Sequence, residues 1–393
     1  MSNKKADLNC ADIVKYDDKL FILTRNTQVL FEYSMTENRM SLCGRIGTKP
    51  GQLFISMALC GKKIYIAPYE ADFICIYNIE KRKFQRIPLG RIHGGQQKKY
   101  YHICFCFRKQ VYFLGGPSSA MLCMDTDTDI VKDIHEWAYE FKSRYGYETG
   151  VTTHTNVCIE GCCFWVALEG DNILLQYNMR TGEHRFWHIG KKRIQYVTIT
   201  YDGDYFWLSG DKRFIVRWKK DSNKVREYDR FPEGFEGCEK DIGWKEMFSC
   251  GYLWNKRIYF APINSNMLIK LDLKTEKMEC AALIGSGNIC PKILKIDEEK
   301  LYIEEDDERL RFKRSLLIGM DGECDTKFIK LGEQDNIDVN ILKRDMETGI
   351  IAEAHPLYLT LFLGSMIEID ESKENTYQSS VGEKIIRNML NTN

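Results

Sequence analysis

Two histidines stand where they could meet. His102 falls ten residues before Tyr112, and His154 eleven before Trp165. Both aromatics belong to a recurrent strand motif, so the histidines open equivalent strands of neighbouring units. Side chains that converge there could act as a general base or as a pair of metal ligands. A two-His site needs a carboxylate or water to complete it. Glu169 could supply the carboxylate as acid or ligand, and Arg193 or Arg213 could stabilise developing negative charge. The competing reading is two buried, hydrogen-bonded core histidines. Cys158-x3-Cys162-Cys163 resembles half a zinc site but lacks a second ligand pair at the usual spacing. His184 and His188 fall on an outer strand and read as structural or surface residues. The chain carries no P-loop, Rossmann glycine fingerprint, Gly-x-Ser-x-Gly or His-Glu-x-x-His. No motif therefore names a reaction.

Composition narrows the class. The 393 residues hold 56 Lys+Arg and 56 Asp+Glu, 44% hydrophobic residues and 12% aromatics. That is enough apolar surface for a packed core and excludes a disordered chain. Zero net charge argues against nucleic-acid binding through phosphate neutralisation. No run approaches the ~18 apolar residues that span a bilayer, which predicts no membrane insertion. The polar start, Met1 to Asp7, is read as lacking an export signal. On that reading the 15 cysteines are reduced thiols of a cytoplasmic protein.

The elements that must position these residues come from a repeat. An apolar strand core recurs as Leu20-Phe21-Ile22, Ile64-Tyr65-Ile66, Val111-Tyr112-Phe113, Phe164-Trp165-Val166, Tyr205-Phe206-Trp207, Ile258-Tyr259-Phe260 and Leu301-Tyr302-Ile303. The central aromatics are 44, 47, 53, 41, 53 and 43 residues apart, which is the propeller period. Around each lie a preceding strand, a small polar hairpin, a second apolar strand, a polar turn and a fourth strand. Residues 63–89, 163–189 and 258–283 show this best. Strands apolar on both faces, such as Phe73 to Tyr77, demand cover from both sides, as stacked blades provide. The reading is an all-β, seven-bladed β-propeller over residues 10–330, with six or eight blades as alternatives. The last unit departs from the pattern at an acidic hairpin, Glu304 to Glu308. Residues 331–393 read as a short α-helical C-terminal tail, with Ser380 to Glu383 as a capping box.

The unit of strand, polar hairpin, apolar strand, turn and strand, carried best by Asn172 to Ile189, resembles the NHL and streptogramin-lyase-type propeller repeats. It is also similar to propellers of anaerobic bacteria. Tyr112 to Gly116 resembles a kelch signature, without a second copy, and WD40 signatures are absent. The resemblance implies a binding platform in most relatives and a metal-assisted lyase in one branch. It also implies where a ligand would sit: on the face shared by the loops entering each first strand and the hairpins between second and third strands.

That face supplies the candidate binding residues. The entering loops 91–99, 133–150, 190–193 and 231–245 carry His93, Trp137, Tyr145, Tyr147, Trp244 and Lys245. The hairpins carry Arg25, Tyr69 and Glu70. Asp171, Asn172, Asn264 and Asn266 are good turn formers and need no other role. Aromatics would supply stacking area and cations fixed charge. Two functions follow. The first is a non-catalytic recognition propeller, free of cofactors, that binds a peptide, protein segment or polar glycan. The second is a lyase, cyclase or hydrolase at the mouth of the axis, with one divalent metal of unknown identity.

Overall fold

The computed structural model describes residues 10–24, 28–37, 39–46, 54–90, 100–116, 121–152, 156–190, 194–222, 224–237 and 246–283. It also describes the backbone of strands Ile293–Lys295, Lys300–Asp307, Phe312–Gly319 and Cys324–Phe328. Among these residues the strands form seven four-stranded antiparallel sheets, each a simple meander in chain order. Sheet 1 spans residues 10–45, sheet 2 54–88, sheet 3 101–134, sheet 4 158–188, sheet 5 196–228, sheet 6 248–283 and sheet 7 293–328. The proposed helical tail and its capping box lie outside the described residues.

The alternation of each second strand explains the stacking. In sheet 2, Ile64 and Ile66 pack back onto sheet 1, whereas Tyr65 and Ala67 pack forward onto sheet 3. In sheet 3, Val111 and Phe113 face sheet 2, and Tyr112 and Leu114 face sheet 4. Phe164 and Trp165 divide in the same way in sheet 4, and in sheet 6 Ile258 packs back onto sheet 5 while Tyr259 lies on the opposite face. Strand period two thus turns one apolar run into two interfaces. One repeat assignment needs correcting. The aromatic of sheet 5 that faces forward, onto sheet 6, is Trp207; Phe206 packs back onto sheet 4. The fourth strands are the outer ones, and Lys83–Pro88 is largely exposed.

Turn chemistry repeats as well. At the turn from third to fourth strand, Asn78, Asp125, Asn178 and Asp272 each accept the backbone N–H three residues on, at 2.8, 2.9, 3.2 and 2.8 Å. Short polar acceptors make such turns without a backbone partner. Sheet 7 corrects the acidic hairpin: residues 304–307 continue the strand Lys300–Asp307. Glu305 lies opposite Arg314 and Asp306 opposite Lys313, a register that sets unlike charges across the ladder.

The segment read as a loop before sheet 4 contains the helix Glu136–Tyr145. Trp137, Phe141 and Tyr145 recur at every fourth residue, which puts them on one helical face. Gly146, at φ 80°, ends the helix in a left-handed cap whose N–H donates to the Lys142 carbonyl. Trp137 and Phe141 are 0% exposed and fill the wedge between sheets 3 and 4. Trp137 therefore sits in the core and offers a partner no surface, contrary to the sequence expectation. Replacing Trp137 with Ala should destabilise the protein by about 3–5 kcal/mol in denaturant unfolding. Tyr139→Ala, at a side chain 66% exposed, should change stability by less than about 0.5 kcal/mol. Equal effects at the two sites would contradict this packing.

Candidate functional site

The first strands share a feature that places the candidate site. In sheets 1, 2, 3, 5 and 6 the ladder between first and second strands skips one residue near its start: Ala11, Ile55, His102, Val197 and Ser249. These are β-bulges at one structural position. A bulge re-aims its side chain and is common beside functional sites. In sheet 4 Val151 bridges Leu168, and the first strand spans Cys158–Glu160. His154 lies outside the described residues.

His102 is 8% exposed, and its Nε2 lies 3.1 Å from the carbonyl oxygen of Thr152, in the segment leading into sheet 4. Thr152 in turn donates its hydroxyl to the Ala167 carbonyl at 3.0 Å. The bulge thus turns the imidazole sideways into an inter-sheet contact. Similar ties join other neighbours. Asp12 accepts the Met57 N–H at 2.6 Å and the Ser56 hydroxyl at 3.3 Å. Ser56 Oγ accepts the Cys104 N–H at 3.0 Å. Asn156 accepts the Ile199 N–H at 3.0 Å and donates to the Ile199 carbonyl at 2.7 Å. The sequence reading missed Asp12, Ser56, Thr152 and Asn156. Their common signal is a small polar residue in or shortly before the first strands of sheets 1, 2 and 4.

The hairpin face is assembled from side-chain-to-backbone hydrogen bonds. Asn172 donates to the Ile189 carbonyl at 2.8 Å, Asn264 to Glu246 at 2.8 Å and Asn266 to Gly234 at 2.9 Å. These asparagines rivet hairpins to entering loops, in keeping with their structural reading. Arg213 does the same: its guanidinium donates to the Phe235 carbonyl at 3.2 Å and lies over the Phe235 ring. Gln195, unflagged by the sequence, accepts the Gly170 N–H at 2.6 Å and donates to the Leu168 carbonyl at 3.1 Å. It joins the hairpin of sheet 4 to sheet 5.

Of the candidate binding residues, Tyr69 and Glu70 are half-buried on the hairpin of sheet 2. The Tyr69 ring packs on Tyr100 of the entering loop, 5.4 Å between centroids. Tyr147 is 38% exposed. Its ring packs edge-on against Phe141, and its edge borders Gly170 of the sheet 4 hairpin. Tyr145 instead faces the outer strand, where its hydroxyl lies 3.2 Å from His188 Nε2. His184, on that strand, pairs with Glu140 of the helix at 2.9 Å. The two histidines thus anchor the helix. Arg25, His93, Arg193, Trp244 and Lys245 lie outside the described residues.

Glu169 is the electrostatic outlier. It is half-buried in the sheet 4 hairpin, and burial alone pushes its carboxyl above the usual range. Its backbone is fixed by a Glu169 N–H donation to Gly150 and a Thr149 hydroxyl donation to the Glu169 carbonyl. The structure therefore brings Glu169 and Tyr147 to one hairpin, with Gln195 beneath. Among the described residues no group of three or more His, Cys, Asp or Glu side chains is arranged to hold a metal ion. No helix among them is long and apolar enough to cross a membrane.

No protein-family model matches the sequence, and no curated protein matches it significantly. Solved structures do resemble the fold. The computationally designed Ika8 protein aligns at TM-score 0.54 and 8% identity, over 82% of this chain and 88% of that one. The WD40 repeats of RRP9 align at TM-score 0.52 and 10% identity, over 77% and 88%. YCF48 bound to D1 peptide aligns at TM-score 0.54 and 8% identity, over 77% and 90%. At such identities the likeness concerns fold alone, and it supports a β-propeller architecture without bearing on the NHL or streptogramin-lyase type.

The Glu169 shift has a signed consequence. Its folded-state value lies above its unfolded value, so stability falls as pH rises through that window. Glu169→Gln should match wild-type stability at about pH 3.5, below both values. It should be the more stable protein above neutrality. Parallel stability curves at all pH values would show that the carboxyl is not held by burial.

Proposed function

We propose that this chain is a non-catalytic recognition propeller that binds a peptide or protein segment on its hairpin face. The observation that carries the reading is the pairing of half-exposed aromatics with carboxyl groups on hairpins that backbone contacts hold rigid. Tyr69 stands beside Glu70, and Tyr147 borders the hairpin of Glu169. Rigid aromatic area lost from water, with a few fixed polar groups, is the usual anatomy of a recognition patch. YCF48, a structure of similar fold, is described as bound to a peptide. A polar glycan would use the same stacking surface and is the secondary ligand class.

The finer architecture belongs to the same proposal. Seven four-stranded sheets in chain order support a seven-bladed ring over 10–330, carrying NHL-like repeats of bacterial type such as residues 172–189. The helical tail 331–393, the cytoplasmic setting with reduced cysteines, and the absence of cofactor, nucleic-acid partner and membrane insertion complete it.

One observation favours a second reading. A carboxyl raised by burial, as at Glu169, suits a general acid at the mouth of the axis, with His102 and His154 as base or ligands and one divalent metal. Metal analysis of tag-free protein separates the two. One metal per chain, lost in a His102→Ala/His154→Ala variant, would establish the enzyme reading.

For the recognition reading, binders selected from a displayed peptide library provide the probe. Tyr69→Ala/Tyr147→Ala should weaken their affinity by about tenfold or more, the scale of one or two anchor aromatics. Tyr139→Ala, on the helix, should leave it unchanged. Binders indifferent to the double substitution would overturn the assignment of this face.

A further inference from the structure

Cys60 and Cys106 occupy the ends of neighbouring first strands, Phe54–Cys60 of sheet 2 and Tyr101–Phe107 of sheet 3. The Ser56–Cys104 hydrogen bond sets these two strands side by side. Both thiols converge on one acceptor. Cys60 Sγ donates to the Arg108 carbonyl at 3.2 Å and Cys106 Sγ to the same oxygen at 3.4 Å. One carbonyl oxygen within hydrogen-bond reach of both thiols brings the two sulfurs into the same pocket. Arg108 has φ 57°, a left-handed conformation that non-glycine residues rarely adopt, and it forms the turn that presents this carbonyl to both sulfurs.

Both cysteines pack against the apolar cluster between sheets 2 and 3. The Tyr65 hydroxyl is buried there without a hydrogen-bond partner among the described residues. Burial raises that phenol first, and the charges Cys60, Asp129 and Cys106 can carry raise it further. Both cysteines are free and only partly buried. Cys75 and Cys158, by contrast, are buried in the core.

We propose that Cys60 and Cys106 form an oxidisable dithiol that closes a disulfide between sheets 2 and 3 when exposed to a low-molecular-weight disulfide. The Cys60 thiolate attacks one sulfur of the small disulfide, breaking its S–S bond and releasing one small thiolate. The Cys106 thiol then loses its proton to solvent and attacks Cys60 Sγ. A protein S–S bond forms, the mixed S–S bond breaks, and the second small thiolate leaves. Two protein thiols are oxidised and one small disulfide is reduced to two thiols. Burial pushes Cys106 up to about 12, which makes the second step the slow one at neutral pH.

The full chain, incubated with glutathione disulfide and then alkylated, should yield a Cys60–Cys106 cross-linked peptide by mass spectrometry. Dithiothreitol should abolish it. Oxidation should also shift the thermal midpoint upward, as expected for a cross-link that closes a long loop. Cys60→Ser should lose both the cross-link and the shift. A stable glutathione adduct on Cys60 without the cross-link, a bond from Cys60 to another cysteine, or two unmodified thiols would each overturn the proposal. The wild-type peptide map decides this even if Cys60→Ser folds poorly.

Discussion

A four-stranded antiparallel meander leaves its first strand with one bare edge of N–H and C=O groups. At the inner side of a stack of such sheets that edge is withdrawn from water, so every group on it needs a partner. Here the partners come from side chains in or just before the first strand of the neighbouring sheet. Asp12 takes the Met57 N–H, Ser56 the Cys104 N–H, and Asn156 both backbone groups of Ile199. The same bonds that satisfy the edge also fix each sheet against the next. Close approach reinforces them: a Cβ on Gly251 of sheet 6 would lie 2.4 Å from Thr200 Oγ1 of sheet 5.

Everything the hairpin face can do depends on that inner belt. The bulges in the first strands of sheets 1, 2, 3, 5 and 6 lie next to it, which is why His102 reaches Thr152 instead of open space. Outward from the belt, the apolar second strands alternate between two interfaces, so the sheets cannot rotate independently without breaking both. The hairpins are then locked to entering loops by Asn172, Asn264, Asn266 and Arg213. A face held this way loses little conformational freedom on engaging a partner, which favours recognition by preformed anchors.

Much of the architecture was legible because strand alternation and turn chemistry are local. Aromatics 41–53 residues apart mark the second strands, and the four-strand unit around them matches the sheets. Legibility failed where long-range packing decides. Trp207 and Phe206 are adjacent, and only the identity of the neighbouring sheet tells which faces forward. Trp137 resembled a loop aromatic because His135, Tyr139 and Tyr147 blur the fourfold spacing of residues 137, 141 and 145. The acidic run 304–307 suited a hairpin until its register against Lys313 and Arg314 was visible. For the site, the hairpin positions were readable, but the roles of Asp12, Thr152 and Gln195 were not. Their partners lie 25–50 residues away in sequence.

Hydrogen–deuterium exchange of the full chain, read at single amides, tests the inner belt most directly. The N–H groups of Met57, Cys104 and Ile199 donate to side chains in or just before the first strand of the neighbouring sheet. They should exchange as slowly as ladder amides of the buried second strands such as Lys63–Pro68. Exchange as fast as that of the exposed outer strand Lys83–Pro88 would show that the inner edges stand open and that the sheets are not locked as described.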